Sequence, residues 1–203
     1  MTNSSAEIVQ QINDFLVQGA ISKAYELNSN FWAQGGEISN TDMVTYIDIL
    51  LNMGEVDRAG ILLKEAIEHP RQYDNFIEVM IKYLILAPKL VLLKQLGEYP
   101  KIYELNPQLF DWAKQTVDQR IVLEYSILIK TAHKNLIGKI LRFGYEINNE
   151  ILDIDFYTNE NESNNNITTK KITREINKQF IRRGLEIPNK MNLNIFSLES
   201  FGN

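Results

Sequence analysis

No cysteine occurs in the 203 residues, which excludes disulfides, thiolate zinc sites, iron–sulfur clusters and cysteine nucleophiles. Histidine is scarce: His69 and His133 are the only two, far apart, and neither has a second ligand at helical spacing. Both read as structural, His69 at a helix end where a cation is mildly favoured. Long hydrophobic runs are missing as well. IVLEYSILIKTAH, one of the most apolar stretches, is interrupted by Glu124, Lys130 and His133, well short of the roughly 20 apolar residues of a membrane-spanning helix. The start, MTNSSAEIVQQ, has neither the basic beginning nor the apolar centre of a signal peptide. The expectation is a soluble, cytoplasmic or virion-associated protein with no membrane partner. A basic excess is lacking too, since the net charge of −5 rules out a uniformly basic nucleic-acid binder while leaving room for a local patch. No Ser-His-Asp arrangement, His-Glu-x-x-His helix or P-loop is present, so no catalytic residue, cofactor or metal site is assigned.

What is present is a pattern that occurs twice, 35 residues apart. Ile8, Ile12, Phe15 and Leu16 fall on Met43, Ile47, Leu50 and Leu51; Gly19 falls on Gly54, Ile21 on Val56, Ala24 on Ala59 and Leu27 on Leu62. Each unit reads as two amphipathic helices with a Gly at the turn and an Ala deep in the second helix. The first pair is expected over about residues 5–18 and 20–33, started by Ser4 or Ser5 with Glu7 and ended at Gly35–Gly36. The second pair is expected over 42–53 and 56–68, capped by Asn40 or Thr41 and stopped by Pro70.

The stretch NMGEVDRAGILLKEAIEHP resembles a tetratricopeptide repeat, with Gly54 five residues before Ala59, then Leu63, Ala66 and Pro70. The first unit keeps Gly19 and Ala24 but has Asn28 and Phe31 where the second has Leu63 and Ala66. Neither carries the Trp or the Leu-Gly pair of the full consensus. The resemblance covers about residues 5–73 and implies antiparallel helical hairpins stacked as an array. It also implies a groove for a protein partner lined mainly by the first helix of each hairpin. Carried onto this chain, that points to Gln11, Asn13, Asp14, Thr45 and Asp48.

Two hairpins are few for an independently stable array, so later helices are needed to complete the core. Helical spacing continues over 74–86, with a broken helix over 89–105. Asn106–Pro107 is a good helix start, and apolar residues keep helical spacing from Asp118 to Phe143, as one helix or two hinged near 133–135. Gly144 closes that segment. The fold class expected is mainly α, with a helical array over 1–144 and a small α+β appendage over 145–203. In the appendage, ILDIDFY alternates as a half-buried strand, TNENESNNN reads as a mobile Asn-rich loop over 158–166, and 168–183 reads as a basic amphipathic helix. A short last strand in NLNIFSL is compatible with its pattern.

Two groups in the appendage could carry chemistry. Asp153 and Asp155 share one strand face and could hold a hard cation, with Glu160 and Glu162 adding oxygens; alternating acids are also what the wet face of a strand ordinarily shows. Charge is segregated: residues 1–166 hold 14 basic and 23 acidic side chains, and residues 167–203 hold 7 and 3. Lys170, Lys171, Arg174, Lys178, Arg182 and Arg183 form a patch for docking on the acidic array or another copy, with nucleic acid the less favoured partner. Phe31–Trp32 and Trp112 read as core aromatics, with groove anchors the alternative.

The leading reading is a non-enzymatic adaptor or scaffold that binds another protein on a helical-repeat face. One alternative is a self-associating structural component of a large complex such as a phage particle. A metal-dependent enzyme using the paired Asp residues is the third.

Overall fold

The computed structural model describes residues 5–18, 20–33, 40–68, 76–136, 138–186 and 188–197. Gly19, Gly35, Gly36, His69 and Pro70, assigned roles at turns and helix ends above, lie outside the described residues, as does the side chain of Trp32. Among the described residues the fold is mainly helical, with a small three-stranded sheet. The chain divides into two compact units, Met1–Tyr83 and Leu84–Asn203. The boundary expected after Gly144 therefore falls inside the second unit.

The first unit holds α1 (Ser5–Val17), α2 (Ile21–Ala33), α3 (Asn40–Asn52), α4 (Val56–Glu68) and most of α5 (Phe76–Leu86). These are close to the spans expected from apolar periodicity. α1 packs on α2, α2 on α3 and α3 on α4. Ile12, Ala24 and Ile49 form one buried cluster, with Phe15, Leu27 and Met53 against it. The turn from α3 to α4 needs a left-handed residue, and Gly54 supplies it at φ +77° without the Cβ penalty. Lys82 on α5 reaches back to Asp48 on α3 at 2.6 Å.

The second unit continues with α6 (Leu90–Leu96), the single turn α7 (Pro100–Tyr103), α8 (Pro107–Thr116) and α9 (Gln119–Leu136). Asn106 caps α8 by accepting from the Leu109 amide at 3.1 Å, with Pro107 at the first helical position, as its sequence predicts. Trp112 and Phe110 are buried in α8, in the core sense of the two readings given for Trp112. Tyr125 on α9 is fully buried and donates to the Ile85 carbonyl at 2.9 Å, a group left free by the end of α5.

Two expectations for this unit are corrected. Helix does not run to Phe143: α9 ends at Leu136, Gly138 turns the chain at φ +76°, and Ile140–Asn148 is strand β1. Phe143, Tyr145 and Ile147 alternate on one side of it, opposite Phe156, Ile154 and Leu152 of β2 (Ile151–Thr158). The Asn-rich stretch is not a loop throughout: α10 starts at Glu162 and runs to Arg183. Asn161 caps it by accepting from the Asn164 amide, and Asn165 is buried, accepting from Thr158 Oγ1 at 2.7 Å and donating to the Glu160 carbonyl. Low apolarity over 158–166 hid a helix start built from polar side chains.

Strand β3 (Met191–Ser197) completes the sheet, in the order β1-β2-β3. β1 and β2 are antiparallel, and β2 and β3 are parallel across the α10 crossover. Helix α8 contacts β1 and β2, and α10 contacts β3 and α9. Asn149 and Glu150 join β1 to β2, both with positive φ (51° and 61°), the twist-matched hairpin turn that normally takes Gly second.

Two stability outcomes are expected. Ala59 is 0 % exposed, so Ala59→Leu should overpack its contact and lose about 1–3 kcal/mol in denaturant unfolding. Glu150→Gly should raise stability by up to about 1 kcal/mol by relieving left-handed strain, and an unchanged or lower melting temperature would remove that account of the turn.

Candidate functional site

The strongest charge feature of the described residues is α10. Its buried side carries Asn165, Ile172 and Phe180, which hold the helix with one face inward. The C-terminus closes on Gly184 in the left-handed conformation, where Arg182 and Arg183 favour the negative helix end. Lys170, Lys171, Arg174, Lys178, Arg182 and Arg183 are all exposed, and none forms an ion pair among the described residues. Lys170, Arg174, Lys178 and Arg182 follow one another at four-residue spacing, a row inclined to the helix axis.

The adjacent row, Lys171, Glu175, Gln179 and Arg183, runs along α9. Gln179 donates to Thr131 Oγ1 at 2.9 Å, and Asn135 and Lys134 donate to the Glu175 carboxylate at 3.1 and 3.4 Å. Those bonds, Asn135 first, hold the Glu175 carboxyl below its usual range. An open groove between the two helices is lined by Lys130, Lys134, Gln179 and Arg183. Lys130 and Lys134 extend the patch beyond what sequence reasoning assigned. Their spacing of four on α9 was the available signal, but nothing in the sequence placed α9 beside α10.

The paired acids lie on the sheet face away from the buried side chains. Asp153 accepts from Asn148 and Asn192 at 3.0 and 2.8 Å, and Asp155 accepts from Asn194 at 2.9 Å. Asn amides therefore bond both oxygens of Asp153 and one oxygen of Asp155. Partial burial pushes the Asp155 carboxyl up, Asn194 opposes that, and the charges of Glu146 and Asp153 add to the rise. Glu160 is turned to other partners, with Lys139 at 2.8 Å and Thr168 at 3.2 Å, and Glu162 is exposed in the first turn of α10. Among the described residues no three acidic or histidine side chains gather as a metal site. At the end of the same face Tyr157 and Phe196 stack at 5.3 Å, with Arg142 over Tyr157.

In the first unit Gln11 and Asp14 are exposed on α1, and Asp14 accepts from Gln10 at 2.9 Å. The Asn13 side chain lies outside the described residues. Thr45 is half-buried, and Asp48 is engaged by Lys82 and by Asn52 at 3.1 Å. Asp48 thus ties α3 to α5, with about a third of its side chain still exposed. His133 is half-buried on α9.

No known protein family, curated protein or solved structure matches this chain. Its surfaces carry the functional argument.

Asp155 gives a pH test. Its raised carboxyl pKa means the folded state disfavours the charged form; that stabilising preference for the proton is full at low pH and lost as pH rises through the folded value. Asp155→Asn, which keeps an acceptor for Asn194, should therefore be the more stable protein at neutral pH. The difference should vanish in thermal melts taken below the usual carboxylate range.

Proposed function

We propose that this chain is a non-enzymatic interaction module whose N-terminal helices stack as tetratricopeptide-like hairpins and hold a protein partner. One observation carries the reading. Ala24 on α2 and Ala59 on α4, equivalent positions 35 residues apart, are each 0 % exposed in helices that pack on the helix before them. Small buried residues let paired helices approach closely, as the hairpins of such arrays require. Leu63 and Ala66 on α4 are buried in support, and Gly54 makes the turn before that helix.

Within this reading the partner surface centres on α1. Gln11 and Asp14 present polar groups to water, whereas Asp48 is committed to Lys82. The proposed mode is capture of an extended or helical segment of another protein, in the cytoplasm or on a particle.

A second reading is self-assembly as a component of a large complex. It draws on charge segregation, with a net −9 over residues 1–166 and +4 over 167–203. Oppositely charged surfaces of successive copies could meet head to tail.

Capture from source lysate with the full chain and with Gln11→Lys/Asp14→Lys separates the two. The expected result is one protein retained by the parent chain and reduced at least about tenfold, some 1.4 kcal/mol, by the variant, with unchanged thermal unfolding. Equal retention by the variant would sink the α1 surface. Recovery of only this chain itself would transfer the function to self-assembly.

A further inference from the structure

We propose that the α9–α10 face is a second binding surface, whose occupant is the phosphate backbone of duplex nucleic acid, held without base recognition. Between Thr168 and Arg183, α10 carries six cations and a single carboxylate, Glu175. A merely solvated helix mixes both signs, because opposite charges four residues apart stabilise it and like charges do the reverse. Here Lys170, Arg174, Lys178 and Arg182 repeat the same sign at that spacing, so the row works against the helix that bears it. The one carboxylate is already engaged by Asn135 and Lys134.

The geometry of the row fits a winding polyanion. Four-residue steps place a cation about every 6 Å of rise over roughly 18 Å, in a row that turns about 120° around the helix. Beside the row, Gln179 and Arg183 line a groove on its α10 side, and Lys130, Thr131 and Lys134 line it on its α9 side. Phosphate oxygens take Lys, Arg and neutral donors of this kind.

Two observations choose duplex over its rivals. Protein interfaces are depleted in Lys at their centre and enriched in aromatic anchors, whereas this face has three lysines in α10 alone, and no aromatic side chain lines the groove. Single strands are held by stacking bases on aromatic rings, which the groove lacks. The stacked Tyr157 and Phe196 lie on the sheet, in β2 and β3, and line no part of this groove. Glu175 pairs with Lys134 at the groove wall.

The test is fluorescence anisotropy of the full chain with a labelled random-sequence DNA duplex. Contact with about five phosphates gives a slope of log affinity on log salt near −4 to −5. Between about 50 and about 200 mM salt, affinity should then fall several hundred-fold. Lys170→Gln/Arg174→Gln/Lys178→Gln, all at exposed positions, should flatten the slope by roughly three and weaken binding at least tenfold at the lower salt. Lys101→Gln on α7 should leave both unchanged. Circular dichroism and melting check that the triple variant is folded; if it is not, Lys178→Gln/Arg182→Gln should flatten the slope by roughly two. No binding at about 50 mM salt, or a slope indifferent to these variants, would overturn the proposal. Equal competition by polyglutamate would assign the face to an acidic protein, and tighter binding of a single strand would remove the duplex assignment.

Discussion

Leu152, Ile154, Phe156 and Thr158 stand on one side of β2 with no exposure to water, and the second unit is organised around keeping them there. A central strand with neighbours on both edges has its backbone satisfied, so what remains is to cover one side. Burying each large apolar side chain contributes about 1.5–3 kcal/mol, and the cover is α8 over β1 and β2 with α10 contacting β3. Phe143 packs on Phe156 from β1 at 5.7 Å, extending the same apolar layer. The opposite face then meets water, and its Asp and Asn side chains bond to one another across the strands.

Thr158 gives that layer its polar edge. Its hydroxyl donates to Asn165 Oδ1, both residues are buried, and the Asn165 amide donates to the Glu160 carbonyl. A buried pair of this kind is costly unless satisfied, and satisfied it specifies one arrangement. It fixes where α10 begins relative to the end of β2. Once that start and the buried Ile172 and Phe180 are set, the side of the helix that faces water follows from its period, and the cations fall on it.

Periodicity made much of the helical part legible. α1 to α5 fall within a few residues of their expected spans because their apolar residues repeat at helical spacing, and Asn106–Pro107 announced α8 by capping chemistry alone. β1 was illegible because Ile140, Leu141 and Phe143 continue the apolar run of α9, and only pairing with β2 makes them extended. The start of α10 was illegible for the opposite reason, since Glu162 to Asn166 have no apolar residue to mark a period. The six cations of α10 could be named in advance. Their neighbours Lys130 and Lys134 could not, because their place depends on the packing of α9 against α10. The pairing of Asp48 with Lys82, 34 positions away, could not be read in advance either.

The parallel pairing of β2 with β3 has a kinetic consequence. Asp153 and its partner Asn192 are separated by 39 positions, whereas β1 and β2 are joined by a two-residue turn. The hairpin can close early at small entropic cost, but β3 cannot dock until the intervening chain has condensed, so its closure is the slow, non-local event. During synthesis those residues leave the ribosome only after β2 and all of α10. Until they add, the β2 edge remains open to any other strand that meets it.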